Sequence, residues 1–344
     1  NNSGADGVSI SGEVSNPNGT LAINNKGGEL LVNTTGTLLN KGAMNLVNNG
    51  TGINLNGTVT NTGNLTINNE TGANGLLVGG GVVTNKSGTA NITNSKGLLK
   101  VAQGAKVVSE GTSLTVTNTA TGSGTTIAGT VENKAGTATV ENRAGELLVD
   151  TTGLIKGSGS KLTIKNSGSG LRIAAGGAVQ NTNTLEISNS GANGLNVLGS
   201  ITNTGKTDIS NTGAAGINLD NSGTITNNGS SLNITNSGAS GINVKGLIKT
   251  TNSGTVYITN SNSNIVIGDN SANDNYITSD GKVTITQTNG NILNSGHKKT
   301  HIKTTNGANL VMNVTNGAIG KEVGPCEGGI CTGIGADSRD LTKS

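Results

Sequence analysis

The chain has 344 residues, of which 57 are Gly and only two each are Pro, Cys, Met and Tyr, with no Trp or Phe and a formal net charge of +3. It lacks the bulky side chains that fill one large globular core, while its low charge separates it from the highly charged chains that stay disordered. The basic excess is thin and carries no aromatics, which excludes a nucleic-acid surface, and no apolar run reaches the roughly 18 residues of a membrane helix.

The chain opens with "NNSGADGVS", without an initiator Met, basic stretch or apolar h-region, so it reads as a mature terminus or a piece of a longer protein. From there the pattern aliphatic, x, aliphatic, x, Asn recurs. It is seen at Leu65–Asn69, Ala90–Asn94, Leu114–Asn118, Ala138–Asn142, Leu162–Asn166, Leu185–Asn189, Leu232–Asn236 and Val256–Asn260, with Thr207–Asn211 as a variant, at spacings of 22 to 25 residues. A second phase, aliphatic, x, Asn, stands at Val59–Asn61, Val83–Asn85, Val131–Asn133, Val179–Asn181, Ile201–Asn203 and Ile225–Asn227. Paired aliphatics such as Leu76–Val78, Leu171–Ile173 and Ile242–Val244 form a third. Short alternating runs bounded by Asn-Gly, Ser-Gly and Thr-Gly are strand-and-turn signals.

Three strands per period predict an all-β fold: a right-handed parallel β-helix (β-solenoid) with about three short strands per coil of roughly 24 residues. The strand period of two turns Leu65 and Ile67 into a narrow lumen and the residue between them outward. About thirteen coils fit between Leu21 and Leu310, a rod of roughly 60 Å at about 4.8 Å per coil. Identical residues then stack, so Asn94, Asn118, Asn142, Asn166, Asn189, Asn211, Asn236 and Asn260 are expected to form a structural ladder of side-chain amides. Glu132 and Lys156, like Glu141 and Lys165, stand one period apart and are expected to pair on the surface.

Past Ile258 the spacing drifts. Regular coils are therefore expected over 1–260, irregular last coils and a cap over 261–320, and a tail with a cysteine loop over 321–344. "GDNSANDN" at Gly268–Asn275 offers Asp269, Asn273 and Asp274 but not the spacing or bidentate Glu of a calcium loop, and reads as a polar turn. His297 and His301 flank "HKKTH" and read as a solvated basic turn rather than a metal site. Cys326 and Cys331 are separated by four residues, two of them Gly, which permits the disulfide an extracellular setting favours. No metal-ligand set stands nearby in sequence.

Sequons at Asn18, Asn33, Asn49, Asn56, Asn64, Asn85, Asn91, Asn228 and Asn233, with others at Asn1, Asn69 and Asn313, are candidate glycosylation positions, most expected on exposed turns. With 53 Asn in the chain, about a dozen arise by chance. Scattered carboxylates without aromatic platforms predict no enzyme, no catalytic residue and no cofactor. Outward pairs such as Thr115/Thr117, Glu186/Ser188 and Asp208/Ser210 break the flat Thr array that ice binding needs.

A long Asn/Gly/Thr-rich solenoid ending in the close pair Cys326 and Cys331 resembles the exported partner of bacterial two-partner secretion, the filamentous-haemagglutinin-like and high-molecular-weight adhesins. "NPNG" at Asn16–Gly19 is similar to a motif of that family's secretion domain, although here it sits within a run of coils. The resemblance implies an extracellular fibre on the bacterial surface, held because the cysteine loop lodges in the outer-membrane two-partner secretion transporter. It also implies binding to a host-cell receptor, other bacterial cells or exopolysaccharide. A passive β-solenoid, such as a phage fibre or matrix component, and an autotransporter passenger are the rival readings; the latter would continue into a membrane barrel with aromatic girdles.

Overall fold

The computed structural model describes residues 1–268, 276–294, 301–321 and 342–343. The described residues contain no helix, and the chain divides into two units, Asn1–Glu186 and Ile187–Ser344, each a β-solenoid of three parallel sheets.

In the first unit three strands recur in fixed order. Val8–Ile10, Glu13–Asn16 and Leu21–Asn25 make one coil, and Glu29–Val32, Thr37–Asn40 and Met44–Asn48 the next. Each strand pairs in parallel with the strand three places further on, which builds a first, a second and a third face. On the third face Leu65 and Ile67 align with Ala90 and Ile92, and these with Leu114 and Val116. All six are at most 2% exposed. The first face contributes Leu76, Val78, Leu99 and Val101, and the second Val59, Val83 and Val107, to the same lumen.

The alternation has a physical cause. Parallel sheets are usually covered on both faces and read as continuous apolar runs. These are covered only inside, so Thr66, Thr84 and Lys100 on the outer side interrupt the aliphatics and produce the period of two. The corner between first and second faces is set by close backbone approach rather than by side chains. A Cβ on Gly57 would lie 2.2 Å from the Gly36 carbonyl oxygen, and one on Gly81 2.2 Å from that of Gly57. Glycine therefore recurs at this corner, and the one larger residue among the described coils is Ala105, fully buried between Gly81 and Gly129.

The second unit repeats the plan with Leu195–Val197, Ser200–Asn203 and Thr207–Asn211 and their register mates. Beyond Ile258 the three faces continue to Lys321, but the step lengthens: Val256 aligns with Val283 and Ile265 with Ile292, each 27 residues on. The drift in the sequence is thus extra length in turns and in the strands Thr255–Asn262 and Val283–Asn289. Along Leu310–Val314 the strict inside-outside burial fades to partial cover.

Register brings charges together as well as aliphatics. Glu110 lies between Lys86 and Lys134, one coil to either side, at 3.2 and 2.9 Å. The hydrogen bond from Lys134, then that from Lys86, holds the Glu110 carboxyl below its ordinary value. A depressed carboxyl contributes its stability above the unfolded-state value and loses it as pH falls through the folded one. Glu110→Gln is therefore expected to lower the melting temperature at neutral pH and low salt. Below the carboxylate range, or in molar salt, the melting curves of variant and parent should merge.

Candidate functional site

The feature that organises the interior is a column of asparagines near the ends of the third-face strands from Leu21–Asn25 to Thr255–Asn262. In the first unit Asn25 Nδ2 donates to Asn48 Oδ1 at 2.7 Å, Asn48 to Asn69 at 3.0 Å, and Asn69 to Asn94 at 2.8 Å. The column continues from Asn94 to Asn118 at 2.9 Å, to Asn142 at 3.3 Å and to Asn166 at 2.8 Å. In the second unit it runs from Asn189 to Asn211, Asn236 and Asn260 at 2.7 to 2.8 Å. Every donor points toward the higher-numbered coil.

The second N–H of most of these amides closes the local turn. Asn69 donates to the Gly72 carbonyl, Asn94 to Gly97, Asn142 to Gly145 and Asn211 to Gly213, at 2.8 to 3.1 Å. One short side chain thus supplies two donors and an acceptor at full burial, which neither Asp nor Ser provides. Where the coil lengthens, Gln287 takes the place: it accepts from Asn260 at 2.8 Å and donates to the Ser263 carbonyl at 2.7 Å.

A second amide column lies at the ends of the second-face strands. Asn16 donates to Asn40, Asn40 to Asn61 and Asn61 to Asn85, at 2.7 to 3.0 Å. The pattern aliphatic, x, Asn carried its signal, but the column is broken by Ser109, Gly157, Thr250 and Ser279. Next to Ser109, the oxygen Asn133 Oδ1 is buried without a partner. Polar residues inside the lumen are tied to these columns. Thr125 donates to Asn142 Oδ1 at 2.9 Å, and Thr207 accepts from Asn203 and donates to Asn227, both at 2.9 Å.

The other sequence candidates fall in different places. Asn18, Asn49, Asn64 and Asn91 are exposed, as are Asn1 and Asn313, while Asn33, Asn56, Asn228 and Asn233 are half-buried. Asn85 is a correction: its side chain is fully buried as a rung of the second column and donates to the Ser87 carbonyl at 2.6 Å, so the fold closes that sequon, and Asn69 is closed likewise. His301 is a second correction. It is 1% exposed and stacks on Tyr276 with centroids 5.4 Å apart, so its ring faces the interior at the start of the strand Ile302–Thr304 rather than solvent.

Glu132 and Lys156 pair at 2.9 Å. Glu141 stands opposite Lys165 in register, yet its carboxylate is bound by Arg143 at 3.0 Å, two residues away on the same coil. Other carboxylates are spread on outward positions with basic partners, as Glu186 is with Lys161 and Asp208 with Lys206. No group of three His, Cys, Asp or Glu that could hold a metal occurs among the described residues. Cys326, Cys331, His297, Asp269, Asn273 and Asp274 lie outside the described residues. Comparison of the chain with family models, with curated proteins and with solved structures returns no match.

The columns make sharp mutational demands. Asn142→Ala removes the partner of Thr125, Gly145 and Asn166 at once and is expected to cost about 2–4 kcal/mol, whereas Asn91→Ala on the wet side of the same face two coils away should stay within about 0.5 kcal/mol; urea midpoints compare them. Gly157→Asn should work in the opposite direction. A Cβ there meets the movable Asn181 Oδ1 at 2.5 Å and Leu162 Cβ at 3.0 Å, and the new amide restores a rung, so a gain of about 1 kcal/mol is expected in the same assay.

Proposed function

We propose that the chain is part of a surface-anchored fibrous bacterial adhesin exported by two-partner secretion. The observation that carries the reading is the strict coil-on-coil register of the lumen and its amide columns, an architecture that extends by repetition without a globular core. In this reading the solenoid holds a binding surface away from the cell. The segment with Cys326 and Cys331 closes a disulfide loop too bulky to clear the outer-membrane transporter, and so keeps the fibre attached. Its partners are the transporter at one end and a host-cell receptor, other bacterial cells or exopolysaccharide along the outside.

The test is made on intact producing cells. Cys326→Ser with Cys331→Ser is expected to move the protein from the cell-bound fraction into the medium, read by immunoblot, with total protein unchanged. An unaltered distribution would instead favour a passive structural fibre in which the cysteines only finish the rod.

A further inference from the structure

The sequence contains nine Asn-Gly pairs, at Asn18, Asn49, Asn56, Asn74, Asn193, Asn228, Asn289, Asn306 and Asn316. None of them begins at a rung of the third-face column: Asn94 is followed by Ser95, Asn118 by Thr119, Asn142 by Arg143 and Asn236 by Ser237. The second-face rungs follow the same rule, with Pro17 after Asn16, Lys41 after Asn40 and Lys86 after Asn85. The dipeptide matters because a glycine after asparagine puts no side chain in the path of its own backbone nitrogen toward the asparagine Cγ.

The fold divides the nine further. The nucleophilic N–H is already committed in four of them: Gly57 donates to the Val32 carbonyl, Gly75 to Gly72, Gly194 to Gly191 and Gly290 to Asn316, at 3.0 to 3.3 Å for the last three and 3.1 Å for the first. Two more have a restrained side chain, since Asn228 Oδ1 accepts from Thr251 at 2.8 Å and Asn316 Nδ2 donates to Asn289 at 3.2 Å. At Asn18-Gly19, Asn49-Gly50 and Asn306-Gly307 neither the side-chain amide nor the glycine N–H makes a hydrogen bond, and all three asparagines are exposed. Gly19 and Gly307 also have positive φ and open space where a Cβ would sit.

We infer that Asn18, Asn49 and Asn306 are sites of spontaneous deamidation, while the amide columns are shielded from it by sequence and by hydrogen bonding. The glycine nitrogen bonds to Asn Cγ, the Cγ–Nδ2 bond breaks, and the amide leaves as ammonia, taking up the proton that the glycine nitrogen lost through solvent. Water then opens the five-membered imide to aspartate or to isoaspartate. No electron is transferred and no reagent beyond water is consumed. Conversion at all three sites takes the formal net charge from +3 to zero, so the outer surface ages in charge while the lumen keeps its amides.

The folded full chain is incubated in mildly alkaline buffer, and peptides are mapped over time by mass spectrometry with aspartate and isoaspartate resolved by chromatography. Asn18, Asn49 and Asn306 are expected to convert roughly fivefold to tenfold faster than Asn56, Asn74, Asn193 and Asn289, the factor one backbone hydrogen bond supplies. The column asparagines should show no conversion over the same period. In urea the nine Asn-Gly sites should converge on similar rates. Equal rates across the nine in the folded chain, or conversion at Asn94 or Asn142 matching Asn18, would overturn the assignment.

Discussion

A buried primary amide has two N–H groups and a carbonyl to satisfy, and the coils of both units are arranged around satisfying them. One N–H bridges to the next coil, the other shuts the turn, and the oxygen receives the coil before. An apolar lumen tolerates small slips in packing, whereas an unpaired amide at the same depth costs on the order of 1–3 kcal/mol. The columns therefore fix the register that the aliphatic side chains only fill. They also polarise one another, since every dipole within a column points the same way.

The register in turn decides what the outside can be. Side chains one coil apart stand about 4.8 Å from each other, so like charges repel and unlike charges bind without any designed pocket. Glu110 between Lys86 and Lys134 is the fullest case. The pairing of Glu141 with Arg143 instead of Lys165 marks the limit of that logic: where the strand ends, a neighbour two residues along reaches the carboxylate and displaces the register partner.

Much of this was legible in residues alone. The run Leu65, Ile67, Asn69 carries a period of two within the strand and about 24 between strands, and the two periods together leave one way to place side chains. The second column was harder to see because Ser109, Gly157, Thr250 and Ser279 interrupt it, although Asn61, Asn85 and Asn133 end their strands just as the first column does. A sequon has no direction in sequence, so Asn85 looked like Asn91; only its place as the last residue of a strand turns it inward. His301 sits in a short tract of charged residues whose polarity suggested water, while its ring is claimed by Tyr276 from the preceding coil.

The glycines at the corner between the first and second faces carry a different kind of consequence. Because the backbone of one coil rests directly on the backbone of the last at Gly36, Gly57 and Gly81, the coils differ there by no more than the methyl group of Ala105. A recombination event that drops or doubles one full period joins matching surfaces, whereas a one-residue insertion within a strand turns the side chains beyond it to the other face. Whole periods can therefore be gained or lost without a new interior, while smaller changes are confined to the turns and strand ends that absorb steps of 21 and of 27 residues.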